Sequence, residues 1–132
     1  MLNCLKKIVA VPSDTPLWVM LEFRVGKVPA LIDTGAQFSC VWSDVAEFLH
    51  LREEPCVFTS CALSCLLADG RKCEVTDAVK LHVKLMSFAW THKFKVLREG
   101  SFPMILGLDF LERTRMLVDV ASWKIQFWVC AG

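Results

Sequence analysis

The sequence predicts an all-β domain carrying two short helices. Three observations point there: repeated stretches of strict apolar–polar alternation, turn signals between them, and only two segments with one-sided helical patterning. The chain has 132 residues, 55% of them hydrophobic and 22% charged. That is enough to bury an ordinary core and argues against disorder.

Residues Leu17 to Val25 alternate, with Leu17, Val19, Leu21, Phe23 and Val25 on one face and Glu22 and Arg24 on the other. Gly26-Lys27 reads as a hairpin turn, and Val28 to Ile32 returns as a second strand. Cys40-Val41-Trp42 is a short strand. Ser43 to Leu51 is a brief helix with Val45, Ala46, Phe48 and Leu49 on one side and Ser43 or Asp44 able to cap it. Arg52 to Pro55 is a loop.

From Val57 to Val75 an apolar stretch is interrupted by Ala68-Asp69-Gly70-Arg71, and Asp-Gly between apolar flanks signals a hairpin. On local grounds this is either an ordinary connection or a mobile loop that closes over a ligand. Val79 to Leu85 and Trp90 to Val96 alternate again, and His82 and His92 read as ordinary strand residues. Met104-Ile105-Leu106 forms an apolar strand ended by Gly107. Leu108 to Arg115 is an amphipathic helix with Asp109 near its start and Arg113 and Arg115 near its end, as the helix dipole favours. Met116 to Val120 and Trp123 to Val129 close the chain as a hairpin.

Several classes are disfavoured. A formal net charge of +1 gives no reason to expect nucleic acid or an anionic membrane as partner. No apolar run reaches the roughly 18 residues of a membrane span, and MLNCLKKIVAV lacks the long apolar segment and cleavage site of a signal peptide. Seven cysteines include a cluster at Cys56, Cys61, Cys65 and Cys73, with no CxxC pair and no ligand spacing to His50, His82 or His92. We therefore expect no metal, no cofactor, and reduced thiols in a cytoplasmic protein.

One stretch stands out chemically. Ala30-Leu31-Ile32 delivers Asp33 into a turn containing Thr34 and Gly35. A carboxylate at the end of an apolar strand needs a reason, since charged side chains are rarely buried unpaired. A surface turn would supply one, because Asp and Gly favour turns; a functional carboxylate would supply another. The second half of the chain bears on the choice. Some seventy residues later an apolar strand ending in Gly107 leads into a short helix.

Together these features resemble the retropepsin-like aspartic proteases, most nearly those of gypsy-type retrotransposons. The resemblance rests on ALIDTGAQFS (Ala30 to Ser39), LLADGRKCEV (Leu66 to Val75), FKVL (Phe94 to Leu97), MILGLDFL (Met104 to Leu111) and VDVASWKIQF (Val118 to Phe127). Their order and spacing agree from about Leu17 to Trp128, within a single domain spanning 1–132. The resemblance implies a closed barrel forming one lobe per chain. It also implies an aspartic endopeptidase that processes a retroelement polyprotein. Asp33 would be the catalytic carboxylate, with Thr34 bracing the loop through its hydroxyl and Gly35 offering its backbone to the substrate. Ala36 and Gln37 would line the cleft floor, and Ala68, Asp69 and Gly70 would sit in a flap. Ile105 and Leu106 would line the pocket, and Gly107 would let them pack beneath the active-site loop. Asp109 would be structural, capping its helix or pairing with an arginine.

Aspartic proteolysis needs two carboxylates at one site. Asp44, Asp69, Asp77 and Asp119 lack a Thr-Gly context, and the chain is too short for two lobes. A polypeptide-cleaving C2 homodimer follows, with Asp33 facing its symmetry mate and Trp123 to Val129 as the dimer edge. The alternative is a domesticated, non-catalytic domain of the same fold that serves dimerisation or peptide binding. The intact Asp-Thr-Gly favours the protease.

Overall fold

A computed structural model describes residues 3–10, 17–66, 72–86, 88–98, 102–119, 121–122 and 124–131. Ten strands and two helices are present: β1 (Asn3–Ala10), β2 (Trp18–Phe23), β3 (Gly26–Ile32), β4 (Cys40–Trp42), α1 (Ser43–Leu51), β5 (Cys56–Leu66), β6 (Lys72–Leu85), β7 (Phe88–Leu97), β8 (Met104–Leu106), α2 (Leu108–Thr114), β9 (Leu117–Asp119) and β10 (Lys124–Ala131).

Strands β2, β3, β8, β4, β7 and β6 pair in that order, and Glu22 of β2 meets Lys84 of β6 to close the ring. The result is a six-stranded barrel, with β5 added outside β6. The seam between β2 and β6 is this single Glu22–Lys84 pair, whereas the other neighbours share longer ladders. The alternation read from the sequence explains the packing. Val19 and Leu21 point inward from β2, Val79, Leu81, Val83 and Leu85 from β6, and all are buried. Phe94, Met104, Leu106 and Phe110 complete the same core. A smaller cluster on the outer side joins Cys40, Val75 and Leu97 with Cys61 and Ile105.

The first hairpin turns earlier than expected. Phe23 pairs with Gly26, so Arg24 and Val25 form the two-residue loop and Gly26 already belongs to β3. Gly26 has φ +145°, a conformation open to glycine and strained for other residues. Val25 consequently leaves the buried face; its N–H donates to the carboxylate of the buried Glu54 at 3.0 Å. Helix α1 runs as expected with Ala46 and Leu49 buried, but neither Ser43 nor Asp44 caps it; the N-cap is Trp42, without a side-chain hydrogen bond. Phe48 stays exposed.

The apolar stretch after Val57 and the strand at Val79 prove to be a hairpin of two long strands, whose pairing runs from Cys56↔Leu81 to Leu66↔Lys72. The connecting Ala68, Asp69 and Gly70 lie outside the described residues. The N-terminal segment, given no strand by the sequence reading, forms β1. It pairs along its whole length with β10, whose other side meets β9 from Lys124 to Gln126. The expected dimer edge is therefore partly occupied. No described helix is long and apolar enough to cross a membrane.

Adjacent residues of a strand face opposite ways, so Leu106 points into the core with no exposed surface while Ile105 faces the outer cluster. The expectation that both line a cleft is corrected for Leu106. We expect Leu106→Ala to lower unfolding stability by about 3 kcal/mol in urea denaturation, and Ile105→Ala to cost clearly less.

Candidate active site

Asp33 follows β3 directly. Strand β3 runs parallel to β8, pairing Leu31 with Ile105 and Ile32 with Leu106. The ladder continues one residue further, since the Asp33 N–H donates to the Leu106 carbonyl at 3.0 Å. The backbone of Asp33 is thus held by the sheet while its side chain stays half-buried. The loop then folds on itself: Gly35 N–H donates to Asp33 Oδ1 at 2.9 Å and Ala36 N–H to the Asp33 carbonyl at 3.1 Å. Asp33 Oδ2 makes no hydrogen bond to any described residue.

The loop is clamped from below by the start of α2. Leu108 N–H donates to the Ala36 carbonyl at 2.8 Å, and Asp109 N–H to the Gln37 carbonyl at 3.3 Å. These are two of the orphan donors that begin any helix. Such close approach requires Gly107. A Cβ there would lie 2.7 Å from the Phe38 carbonyl carbon and oxygen and 2.8 Å from the Ala36 oxygen. All three are backbone atoms, which cannot swing aside as a side chain would.

A buried polar knot ties the two segments further. Ser39, with no exposed surface, donates its hydroxyl to Asp109 Oδ1 at 2.6 Å and accepts from Gly107 N–H at 3.0 Å. Asp109 Oδ1 also accepts from Phe110 N–H at 2.7 Å, but it does not cap the helix, whose N-cap is Gly107 without a side-chain hydrogen bond. The other Asp109 oxygen meets not an arginine but His92 Nε2, at 3.0 Å. Arg113 stands one step further out, donating to the Thr91 carbonyl and, at 3.3 Å, to His92 Nδ1. His92 thus lies between the Asp109 carboxylate and the Arg113 guanidinium. Burial pushes the Asp109 carboxyl up, but its hydrogen bonds with Ser39 and His92 outweigh this and hold it below the usual aspartate value.

The sequence reading missed Ser39 and His92 as site residues. A signal existed for His92: it shares the apolar side of β7 with Trp90 and Phe94 and packs edge-on against Phe94 and Phe110. Thr34 is exposed, and its hydroxyl bonds nothing in the described part of its own chain. The bracing expected of it is supplied within the chain by backbone amides instead. Gly35 and Gln37 are exposed and Ala36 half-buried, beside Asp33. Among the described residues no group of three or more His, Cys, Asp or Glu is placed to hold a metal ion. Cys40, Cys56 and Cys61 are free thiols.

The aspartyl protease family matches residues 9–119, and the chain belongs to that family. Solved structures agree on its retropepsin-like branch. The retroviral protease-like domain of Ddi1 from Leishmania major is 26% identical, with a TM-score of 0.60, covering 81% of this chain and 84% of that one. The retropepsin-like aspartic protease from Rickettsia conorii is 17% identical with a TM-score of 0.65, covering 100% and 97%. The EIAV protease, solved with the inhibitor HBY-793, is 17% identical with a TM-score of 0.60, covering 80% and 93%. No curated protein matches the sequence. The fold is that of a retropepsin-like aspartic protease: a closed six-stranded barrel with two helices.

We expect Gly107→Ala to destabilise the protein by about 3 kcal/mol, read as a lower denaturation midpoint, because backbone must move. A second expectation concerns acid stability. A carboxyl whose folded pKa is depressed stabilises the fold above its unfolded value, about 3.9, and that contribution is lost as pH falls through the lower folded value. Asp109→Asn should thus reduce stability at neutral pH and flatten its decline below about pH 4, measured by chemical denaturation across pH. Parallel curves for wild type and variant would remove Asp109 from this role.

Proposed function

We propose that the chain is an aspartic endopeptidase active as a C2 homodimer, cleaving polypeptide substrates between two Asp33 carboxylates. The observation that carries this reading is the state of Asp33: one rigidly held, half-exposed carboxylate with an unengaged oxygen, on a loop that occurs once in the chain. Two carboxylates held close together cannot both ionise readily, so a facing pair shares a proton. The ionised member takes a proton from water, which attacks the scissile carbonyl. The protonated member stabilises the developing oxyanion, and a proton then passes to the leaving nitrogen. The pair titrates as a unit.

Two features of the chain support the assembly. The exposed Thr34 hydroxyl, without a partner among the described residues of its own chain, suits an interface that brings two loops together. Strand β10 also outruns β9: pairing with β9 ends at Gln126, while pairing with β1 continues to Ala131. Among the described residues, Phe127 to Ala131 keep one backbone edge unpaired, a template for a strand from a second copy. The dimer edge thus narrows from Trp123–Val129 to the end of β10. The likeness of ALIDTGAQFS and MILGLDFL to gypsy-type proteases supports a retroelement polyprotein as substrate, and the seven cysteines suit a reducing, cytoplasmic setting.

The test compares wild type with Asp33→Asn on a peptide library at mildly acidic pH, with pepstatin in parallel. We expect cleavage by wild type alone, its suppression by pepstatin, and activity that falls faster than linearly on dilution. Equal cleavage by both proteins would remove Asp33 from the mechanism. Linear dilution with a monomeric mass would exclude the shared site.

A further inference from the structure

Beside the active-site loop lies a concavity of about 430 Å³ between Phe38, the β6–β7 sheet and α2. Its wall carries four cations, Lys80, Lys93, Lys95 and Arg113, against one carboxylate, Asp109. That carboxylate is already engaged by Ser39, His92 and the Phe110 N–H. The patch is therefore strongly positive on a chain whose net charge is only +1.

The placement works against stability. Lys80 and Lys93 sit directly opposite one another across the β6–β7 ladder, where like charges repel and opposite charges or apolar pairs would stabilise. None of the three lysines forms an ion pair with a described residue. Lys95 instead lies over the Phe38 ring, 5.5 Å from its centroid, and this holds one ammonium against the residue that directly follows Gln37. Nothing in the packing of the barrel calls for this cluster.

We propose that the groove binds an acidic stretch of the polypeptide substrate, so that Lys80, Lys93 and Lys95 select substrates with Asp or Glu flanking the cleaved bond. This inference rests on the endopeptidase reading above. The groove begins where the loop lining the cleft ends. Phe38 directly follows Gln37, whose carbonyl is held by the Asp109 N–H. A peptide leaving the cleft past Gln37 therefore meets Phe38 and Lys95 next. The groove is large enough for a few side chains and too small for a nucleic-acid duplex. The Asp109 carboxylate in its wall also favours separated carboxylates over a polyphosphate backbone, which would crowd charge against it.

Binding and cleavage are measured separately. Asp33→Asn protein is titrated with labelled oligoglutamate, oligoglutamine and an oligothymidylate of matched length, alone and combined with Lys80→Gln/Lys93→Gln or Lys93→Glu. We expect oligoglutamate to bind in preference to the other two, less tightly as salt rises, and roughly tenfold more weakly in either lysine variant. Thermal unfolding serves as the control for folding; Lys93→Glu, which turns a repulsive cross-strand pair into an attractive one, should not lower the midpoint. With the active chain, library cleavage should favour acidic flanks, and the lysine variants should lose that preference while cutting neutral peptides as wild type does. Unchanged oligoglutamate affinity in both variants overturns the proposal. Tighter binding of oligothymidylate also overturns it and makes the face a nucleic-acid surface. Absence of cleavage in every protein counts against the endopeptidase reading alone, and the titration still decides the groove.

Discussion

The contact between the active-site loop and the start of α2 is the constraint on which the rest of the molecule depends. Two helix N–H groups take the carbonyls of Ala36 and Gln37, and Ser39 links Gly107 to Asp109. The approach is so close that any side chain at Gly107 would strike backbone. The Ser39 hydroxyl and the Gly107 N–H are buried, so loss of their bond leaves polar groups without a partner. The loop that presents Asp33 therefore has little freedom to rearrange, although its outer face is exposed.

This rigidity has a direction. The barrel holds the backbone of Asp33 through β8, and α2 holds the end of its loop, while the carboxylate itself is left largely uncommitted. A catalytic carboxylate requires that separation between a fixed main chain and an available side chain. The polar knot continues away from the loop through His92 to Arg113. It ends in the lysine-rich groove, so the structural support of the site and the charged surface beside it share residues.

Much of the architecture was legible locally. The alternations at Leu17–Val25, Val79–Leu85 and Trp90–Val96 correspond to β2, to the second part of β6 and to β7, and both helices lie where their patterns placed them. The discrepancies have identifiable causes. The first hairpin turned at Arg24-Val25 because Glu54, distant in sequence, accepts the Val25 N–H. Strand β1 was overlooked because its identity depends on pairing with β10 at the far end of the chain. His92 read as an ordinary strand residue because its partner, Asp109, lies on an element formed later.

By itself the sequence determined where most strands and both helices lie, and that a single Asp-Thr-Gly follows an apolar strand. These follow from periods of two and 3.6 residues, which any short window contains. Only the tertiary structure decided which polar groups meet. Ser39 and Asp109 are separated by 70 residues, yet their oxygens lie 2.6 Å apart. No local pattern encodes that pairing, because it depends on β8 inserting between β3 and β4 in the sheet. The assembled fold also buried Leu106 and left Ile105 outward, and left Thr34 without a partner among the described residues of its own chain.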